Sequence, residues 1–256
     1  AAGVMLYGTS LVAGMLGTAD FREIAAAMNE LITATPDASW MSHPEIRTII
    51  LGIMMVLVGL AFKLSLVPFH FWCPDAFEGA PAEVAGYLSV ASKAGAFALL
   101  VRFCLAFSNS EQVFDLNEIY LYLGVGLGVI AAISVTYGNL AAYTQTNVKR
   151  LLAYSTIAHA GYMLMAVAAL MVILNSGTSE LDTQFEASRC LEGLLYYLFV
   201  YLFMNLGAFA VVAMIRNKIF SEEIDDYNGV GLQAPWLGVA MAICLFSLVG
   251  MPPFGG

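Results

Sequence analysis

Apolar residues in this chain come in long, nearly unbroken runs. Seven stand out, at roughly 1 to 18, 47 to 72, 84 to 107, 119 to 140, 149 to 174, 190 to 215 and 235 to 256. Each is close to the ~17–25 residues that a tilted helix needs to cross a bilayer. A backbone in hydrocarbon must satisfy its own N–H and C=O groups, so the pattern predicts an all-α membrane protein, a polytopic transmembrane helical bundle. Residues 19 to 46 depart from it. There Phe21, Ile24, Ala27, Met28 and Leu31 recur at helical spacing before Thr35-Pro36-Asp37, which predicts a short amphipathic helix lying on the surface.

Proline punctuates two of the runs. Leu66-Val67-Pro68-Phe69-His70 interrupts the second, and Gly250-Met251-Pro252-Pro253-Phe254-Gly255-Gly256 interrupts the last. Proline lacks an amide donor and clashes with the preceding turn, so both helices are expected to be broken, the first near Leu66 to Pro68 and the second near Gly250 to Pro253. Broken spans in corresponding positions of two halves are a sequence sign of a transporter built from repeats. Simple kinks in a passive bundle are the alternative.

Composition agrees with a membrane chain: of 256 residues, 60% are hydrophobic and 11% charged, against about 25% charged in soluble domains. The formal net charge is −9 and no Lys/Arg run exists, which excludes nucleic acid as a partner class. Cys73, Cys104, Cys190 and Cys244 are far apart and lack CxxC spacing, so neither a disulfide framework nor a zinc or iron–sulfur ligand set is legible. The chain opens inside an apolar stretch, without Met or a basic n-region, and stops at Gly-Gly. It reads as an internal piece of a longer polypeptide with no signal peptide. By parity, the connections at 73 to 83, 141 to 148 and 216 to 234 share one face of the membrane. Lys149-Arg150 at a helix start assigns that face to the inside.

The informative charges are those inside the apolar runs. Lys63 lies about one turn from the centre of its segment, and Lys93 and His159 lie near the centres of theirs. A charge at that depth costs at least ~2.5–3.5 kcal/mol on insertion scales, so a functional use is expected. His70 follows Lys63 by two turns, Ser89 precedes Lys93 by one, and Ser155 and Tyr162 flank His159. With Gly59 and Gly86 as small neighbours, these groups read as a hydrated path with Lys63, Lys93 and His159 as proton carriers. A desolvated lysine suits the task, because its ammonium gives up a proton more readily than in water. Structural readings stand beside this one. The lysines could be held in ion pairs, His159 could be a satisfied interhelical hydrogen-bond donor, and His70 could be an interfacial residue.

Phe62-Lys63-Leu64-Ser65-Leu66-Val67-Pro68-Phe69-His70-Phe71-Trp72, with Pro74-Asp75, Glu78-Gly79-Ala80-Pro81 and Ser89-Val90-Ala91-Ser92-Lys93, closely resembles the antiporter-like N subunits of proton-pumping NADH-quinone oxidoreductase, respiratory complex I. Lys149 to Ser155, Ile157, His159, Gly161 and Tyr162 fit that pattern, as do Met204 to Phe209 and the closing Gly-Met-Pro-Pro-Phe-Gly-Gly. Cys73 stands where the family commonly has threonine.

The resemblance implies antiporter-like inverted repeats. Residues 1–107 would end the first repeat and 108–256 would hold most of the second. Lys63 would be the proton-accepting lysine of the first broken helix, Lys93 the central relay lysine, and His159 a station on the hydrated axis. A partner glutamate and a terminal lysine would lie outside this chain. The implied function is proton translocation through that relay, coupled to quinone reduction elsewhere in the complex. NADH, FMN, iron–sulfur clusters and quinone would be bound by other subunits and no metal by this one. The implied partners are other membrane-arm subunits, lipid, water and protons, and the implied location is the bacterial plasma membrane or an organellar inner membrane. A subunit of a multisubunit cation/proton antiporter or of a membrane-bound hydrogenase shares the lysine pattern. A passive structural subunit is the third reading.

Overall fold

The computed structural model describes residues 1–33, 43–106, 116–174 and 180–252. Its helices in chain order are α1 (Ala2–Leu16), α2 (Ile24–Thr33), α3 (Pro44–Leu64), α4 (Trp72–Gly79), α5 (Ala82–Ala106), α6 (Leu116–Ala142), α7 (Val148–Leu174), α8 (Glu180–Ile219), α9 (Val230–Gln233) and α10 (Pro235–Val249). A 3₁₀ turn spans Ile224–Tyr227, and among the described residues extended pairing is confined to one bridge, Asn147 with Glu223.

Five helices, α3 and α5 to α8, are long and apolar enough to cross a membrane. The first and last of the seven expected spans are shorter, at 15 residues each for α1 and α10, and the sixth is only part of the 40-residue α8. The amphipathic helix forms as α2, with Ile24, Ala25 and Met28 buried in the core. It does not merely rest on the surface: the Phe21 ring just before it stands edge-on to Phe103 of α5, 6.4 Å between centroids. The Thr35-Pro36-Asp37 stop lies outside the described residues.

Helix α7 is the axis of the bundle. Beyond the Lys149-Arg150 pair of its first turn it is apolar all round apart from a few hydroxyls and His159, as a helix enclosed by others should be, and it packs on α4, α5, α6 and α8. Asn147 starts it, with Oδ1 accepting the backbone N–H of Lys149 at 2.9 Å and of Arg150 at 3.2 Å, the usual work of an N-cap side chain. Against α6 the approach is close enough that a Cβ on Gly138 would lie 2.8 Å from Ala158 N, and one on Gly161 2.9 Å from Ala131 O. Small residues let helix backbones meet where lipid tails offer no hydrophobic drive.

Helices α3 and α10 both stop where a break is expected, each before its proline; α3 is followed by α4, whereas the far side of the second break lies outside the described residues. Helix α3 stops at Leu64 because Ser65 turns left-handed, at φ 60°, with Ser65 N–H donating to Phe62 O and Leu66 N–H to Ala61 O. Helix α10 stops at Val249 in the same way. Gly250 has φ 78°, its N–H donates to Ser247 O, and Met251 N–H donates to Phe246 O. This paired arrangement satisfies the last carbonyls of a helix. Pro68 and Pro252 follow the cap and prevent helix from resuming at once; Pro253 lies outside the described residues.

Candidate functional site

Among the described residues, buried polar side chains gather where α5, α7 and α8 meet. Lys93, on α5, is only 2% exposed, and its Nζ donates to the carbonyl of Thr156 on α7 at 2.9 Å. Among the described residues its ammonium has no carboxylate partner. A structural ion pair for Lys93 is thereby excluded within this part of the chain, and the cation rests on a carbonyl dipole. Thr156 also turns its own hydroxyl inward along the helix, to Leu152 O at 2.7 Å.

His159 lies one turn beyond Thr156 and is buried. Its Nδ1 is 2.6 Å from the Tyr197 hydroxyl of α8, and three phenol rings surround it, with centroids at 5.1 Å for Tyr201, 5.7 Å for Tyr162 and 6.0 Å for Tyr197. Tyr162 is half-buried and accepts a hydrogen bond from the exposed Asn139 Nδ2 at 3.1 Å. Ser155 is half-buried on α7, and the hydroxyl turned to the seam is that of Thr156 instead.

Ser89 is buried one turn before Lys93. Its hydroxyl donates to Gly86 O at 2.6 Å and accepts from Asn205 Nδ2 at 2.5 Å, while the same Nδ2 donates to Tyr201 OH at 3.0 Å. Asn205 and Tyr201 are completely buried. Thr156, Tyr197, Tyr201 and Asn205 are thus site residues that sequence reasoning missed. The available signal was Asn205, a lone amide inside an apolar run.

Lys63 departs from the expected arrangement. It is exposed, and with Met5, Gly59, Ser92 and Gly95 it lines a groove of about 550 Å³ between α1, α3 and α5. Met5 packs on α3 at Gly59, where a Cβ would lie 2.5 Å from Met5 Cβ, and α3 extends one turn past that contact before Lys63 leaves it. Lys93 faces α7 while its neighbour Ser92 faces the groove, so the described residues do not bring the two ammonium groups together. Gly59 and Gly86 also serve differently from the expected opening of space for water. Gly59 admits Met5, and a Cβ on Gly86 would lie 3.1 Å from Phe209 Cβ.

His70 sits in the α3–α4 break, buried, with its ring 4.4 Å from Phe71 and 4.6 Å from Tyr137, and its Nδ1 has no hydrogen-bond partner. The break is pinned by two side chains. Ser134 Oγ accepts from Val67 N–H at 3.0 Å, and Trp72 Nε1 donates to Phe62 O at 2.9 Å.

The connections expected on one face do meet. Lys149 Nζ donates to Ala80 O at 2.7 Å and pairs with Glu222 at 2.8 Å, while Arg150 reaches Asp75 at 2.7 Å and Glu78 at 2.6 Å. Val148 N–H donates to Glu222 O and Ile224 N–H to Thr146 O. Nearby, burial and then the Glu222 carboxylate push the Tyr227 phenol up to about 12, so it stays neutral.

A family model described as NADH:quinone oxidoreductase/Mrp antiporter, TM, matches residues 1–256. NADH-quinone oxidoreductase subunit N of Chlorobium chlorochromatii is 42% identical over 254 residues, covering 98% of this chain and 44% of that protein. The subunit N of an Anaeromyxobacter species is 40% identical over 261 residues, covering 100% and 46%. Among solved structures, respiratory complex I from Thermus thermophilus with bound aureothin contains a chain 31% identical, with TM-score 0.66 over 100% of this chain and 46% of that one. The Mrp complex of a Dietzia species contains one at TM-score 0.73 and 21% identity, covering 98% and 40%; that likeness is one of fold. This chain therefore spans a little under half the length of the relatives it matches.

Proposed function

Because this chain belongs to the NADH:quinone oxidoreductase/Mrp antiporter transmembrane family, we propose that it is part of a proton-translocating N subunit of an NADH-quinone oxidoreductase. The observation that carries the reading is the Lys93 ammonium, buried among helices and held by a carbonyl with no carboxylate partner among the described residues. An ammonium so placed has lost its hydration and gained little in return, so a functional use is expected of it. His159 stands one turn beyond Thr156, the residue that holds Lys93, with Tyr197 orienting its ring, as a proton acceptor needs.

In this reading Lys63, Lys93 and His159 are successive proton carriers, and His70, Ser89, Ser155 and Tyr162 support the path. The groove beside Lys63 is its entrance. Residues 1–107 and 108–256 are read as parts of two repeats, each holding a helix that stops at a left-handed cap shortly before a proline, Ser65 before Pro68 and Gly250 before Pro252. Electron chemistry, with NADH, flavin, iron–sulfur clusters and quinone, belongs to other subunits of the membrane and peripheral arms. The membrane is the bacterial plasma membrane, with the Lys149 face inside.

The test is Lys93→Arg in the full-length protein within an assembled complex, measuring proton uptake and NADH oxidation in inverted vesicles. A guanidinium keeps the cation but releases no proton at working pH. Both rates are expected to fall at least tenfold. Near-normal rates would leave Lys93 a structural charge and overturn the relay.

A further inference from the structure

Among the described residues, Asn205 is the side chain that joins α5 to α8 by a hydrogen bond at the site, and its own bonding is lopsided. Both acceptors around it take from its nitrogen, Ser89 Oγ at 2.5 Å and Tyr201 OH at 3.0 Å, whereas its Oδ1 is fully buried with no partner. Exchanging the amide's oxygen and nitrogen would let Tyr201 O–H donate to Oδ1 but would leave Nδ2 unpartnered in the oxygen's place. It would also leave Ser89, whose proton goes to Gly86 O, without a donor, so one end of the amide lacks a partner in either orientation. A buried amide oxygen left unbonded is costly, and interior positions of this kind are commonly completed by water.

The chemistry on either side gives that water a use. To one side stands Ser89, a turn from Lys93, whose ammonium has two protons beyond the one given to Thr156. To the other stand Tyr201 and, 5.1 Å from its ring, His159. A primary amide donates and accepts hydrogen bonds but does not take up and release protons at physiological pH. Asn205 therefore ties the two sides together mechanically while separating them for proton transfer, unless something else spans the gap.

Resting on the relay reading above, we propose that Asn205 is a water-anchoring residue of the proton path. Its Oδ1 holds one internal water at the α5–α8 seam, and that water, rather than the amide, connects Lys93 to Tyr201 and His159.

The experiment compares Asn205→Leu with Asn205→Ala in the full-length protein within the assembled complex, with Lys93→Arg run in parallel. Leucine fills the amide's volume with an apolar group and excludes water; alanine leaves room for water to occupy the place. Expected are a tenfold or greater loss of NADH-driven proton uptake in Asn205→Leu and a loss of no more than two- to threefold in Asn205→Ala. An infrared O–H band that shifts in H₂¹⁸O should be present in the parent and in Asn205→Ala and absent in Asn205→Leu. Should Asn205→Leu fail to assemble, Asn205→Val replaces it with the same expectation. Normal pumping in the leucine or valine variant, or equal loss in the apolar and alanine variants, overturns the inference and leaves the amide a structural tie. If Lys93→Arg is inactive while Asn205→Leu pumps, only the water anchor falls. If Lys93→Arg pumps normally, the relay falls first.

Discussion

Lys149 and Glu222 lie 2.8 Å apart, with the lysine side chain 3% exposed and the glutamate 16%. They join the first turn of α7 to the connection after α8. The same ammonium reaches Ala80 O at the α4–α5 turn, and the same carboxylate pairs with Arg216 at 2.8 Å. One nearly dry ion pair thus binds three connections at one face, close to the second half of the broken α3–α4 element.

Removing one member of that pair should be costly, because a charge stripped of water would be left without its counterion. Lys149→Ala is expected to lower stability by about 3 kcal/mol, the low end for breaking a buried pair because Arg216 stays with Glu222. Adding Glu222→Gln should recover more than half of the loss. Thermal unfolding in detergent across the double-mutant cycle measures it; additive effects would mean that the pair is not coupled.

At the ends of α3 and α10 the left-handed position is held by different residues, serine at 65 and glycine at 250. A side chain in that conformation costs about 1–2 kcal/mol. Ser65→Gly should therefore raise stability by about 1 kcal/mol, and Gly250→Val should lower it by about 1–2 kcal/mol. No gain from Ser65→Gly in the same unfolding assay would contradict the strain at Ser65.

The contact of α6 with α7 depends on glycines that face backbone. Gly138→Leu and Gly161→Leu should each destabilise by about 1–3 kcal/mol through overpacking. Gly126, on the same α6 but with nothing within 4 Å of a built Cβ, provides the control, and Gly126→Leu is expected to change stability by no more than about 0.5 kcal/mol. Equal effects at Gly126 and Gly138 would refute close packing as the cause.

Tyr197→Phe removes the partner of a buried imidazole nitrogen and should cost about 1–3 kcal/mol. In the relay reading it also frees the His159 ring to turn, and proton uptake should fall several-fold. Tyr162→Phe gives up only a hydrogen bond shared with an exposed Asn139, so its uptake should stay within twofold of the parent. A reversed order of the two variants would assign the orienting role to Tyr162.

Local pattern carried the architecture. The spacing of apolar residues is a property of neighbours in the chain, and it predicted α3, α5, α6, α7 and the apolar half of α8 as long helices. The Pro-containing segments marked where α3 and α10 stop within a few residues, although the caps at Ser65 and Gly250 end the helices first. The meeting of the three connections around Lys149 followed from counting crossings.

Which face of each helix turns inward was not legible, because in hydrocarbon the lipid-facing and protein-facing sides are both apolar and leave no amphipathic stripe to read. Lys63 and Lys93 looked equivalent in sequence, yet one lines an open groove and the other is enclosed against Thr156, a difference set by where α1 and α7 pack. Lys93 and Thr156 are 63 residues apart, and Ser89 and Asn205 are 116 apart. No periodicity spans such distances. The sequence by itself determined that this chain is a bundle of membrane helices with titratable groups inside them. Only tertiary packing decided which of those groups meet, because a hydrogen bond between helices depends on the rotation and depth of each, and both are fixed by contacts distant in the chain.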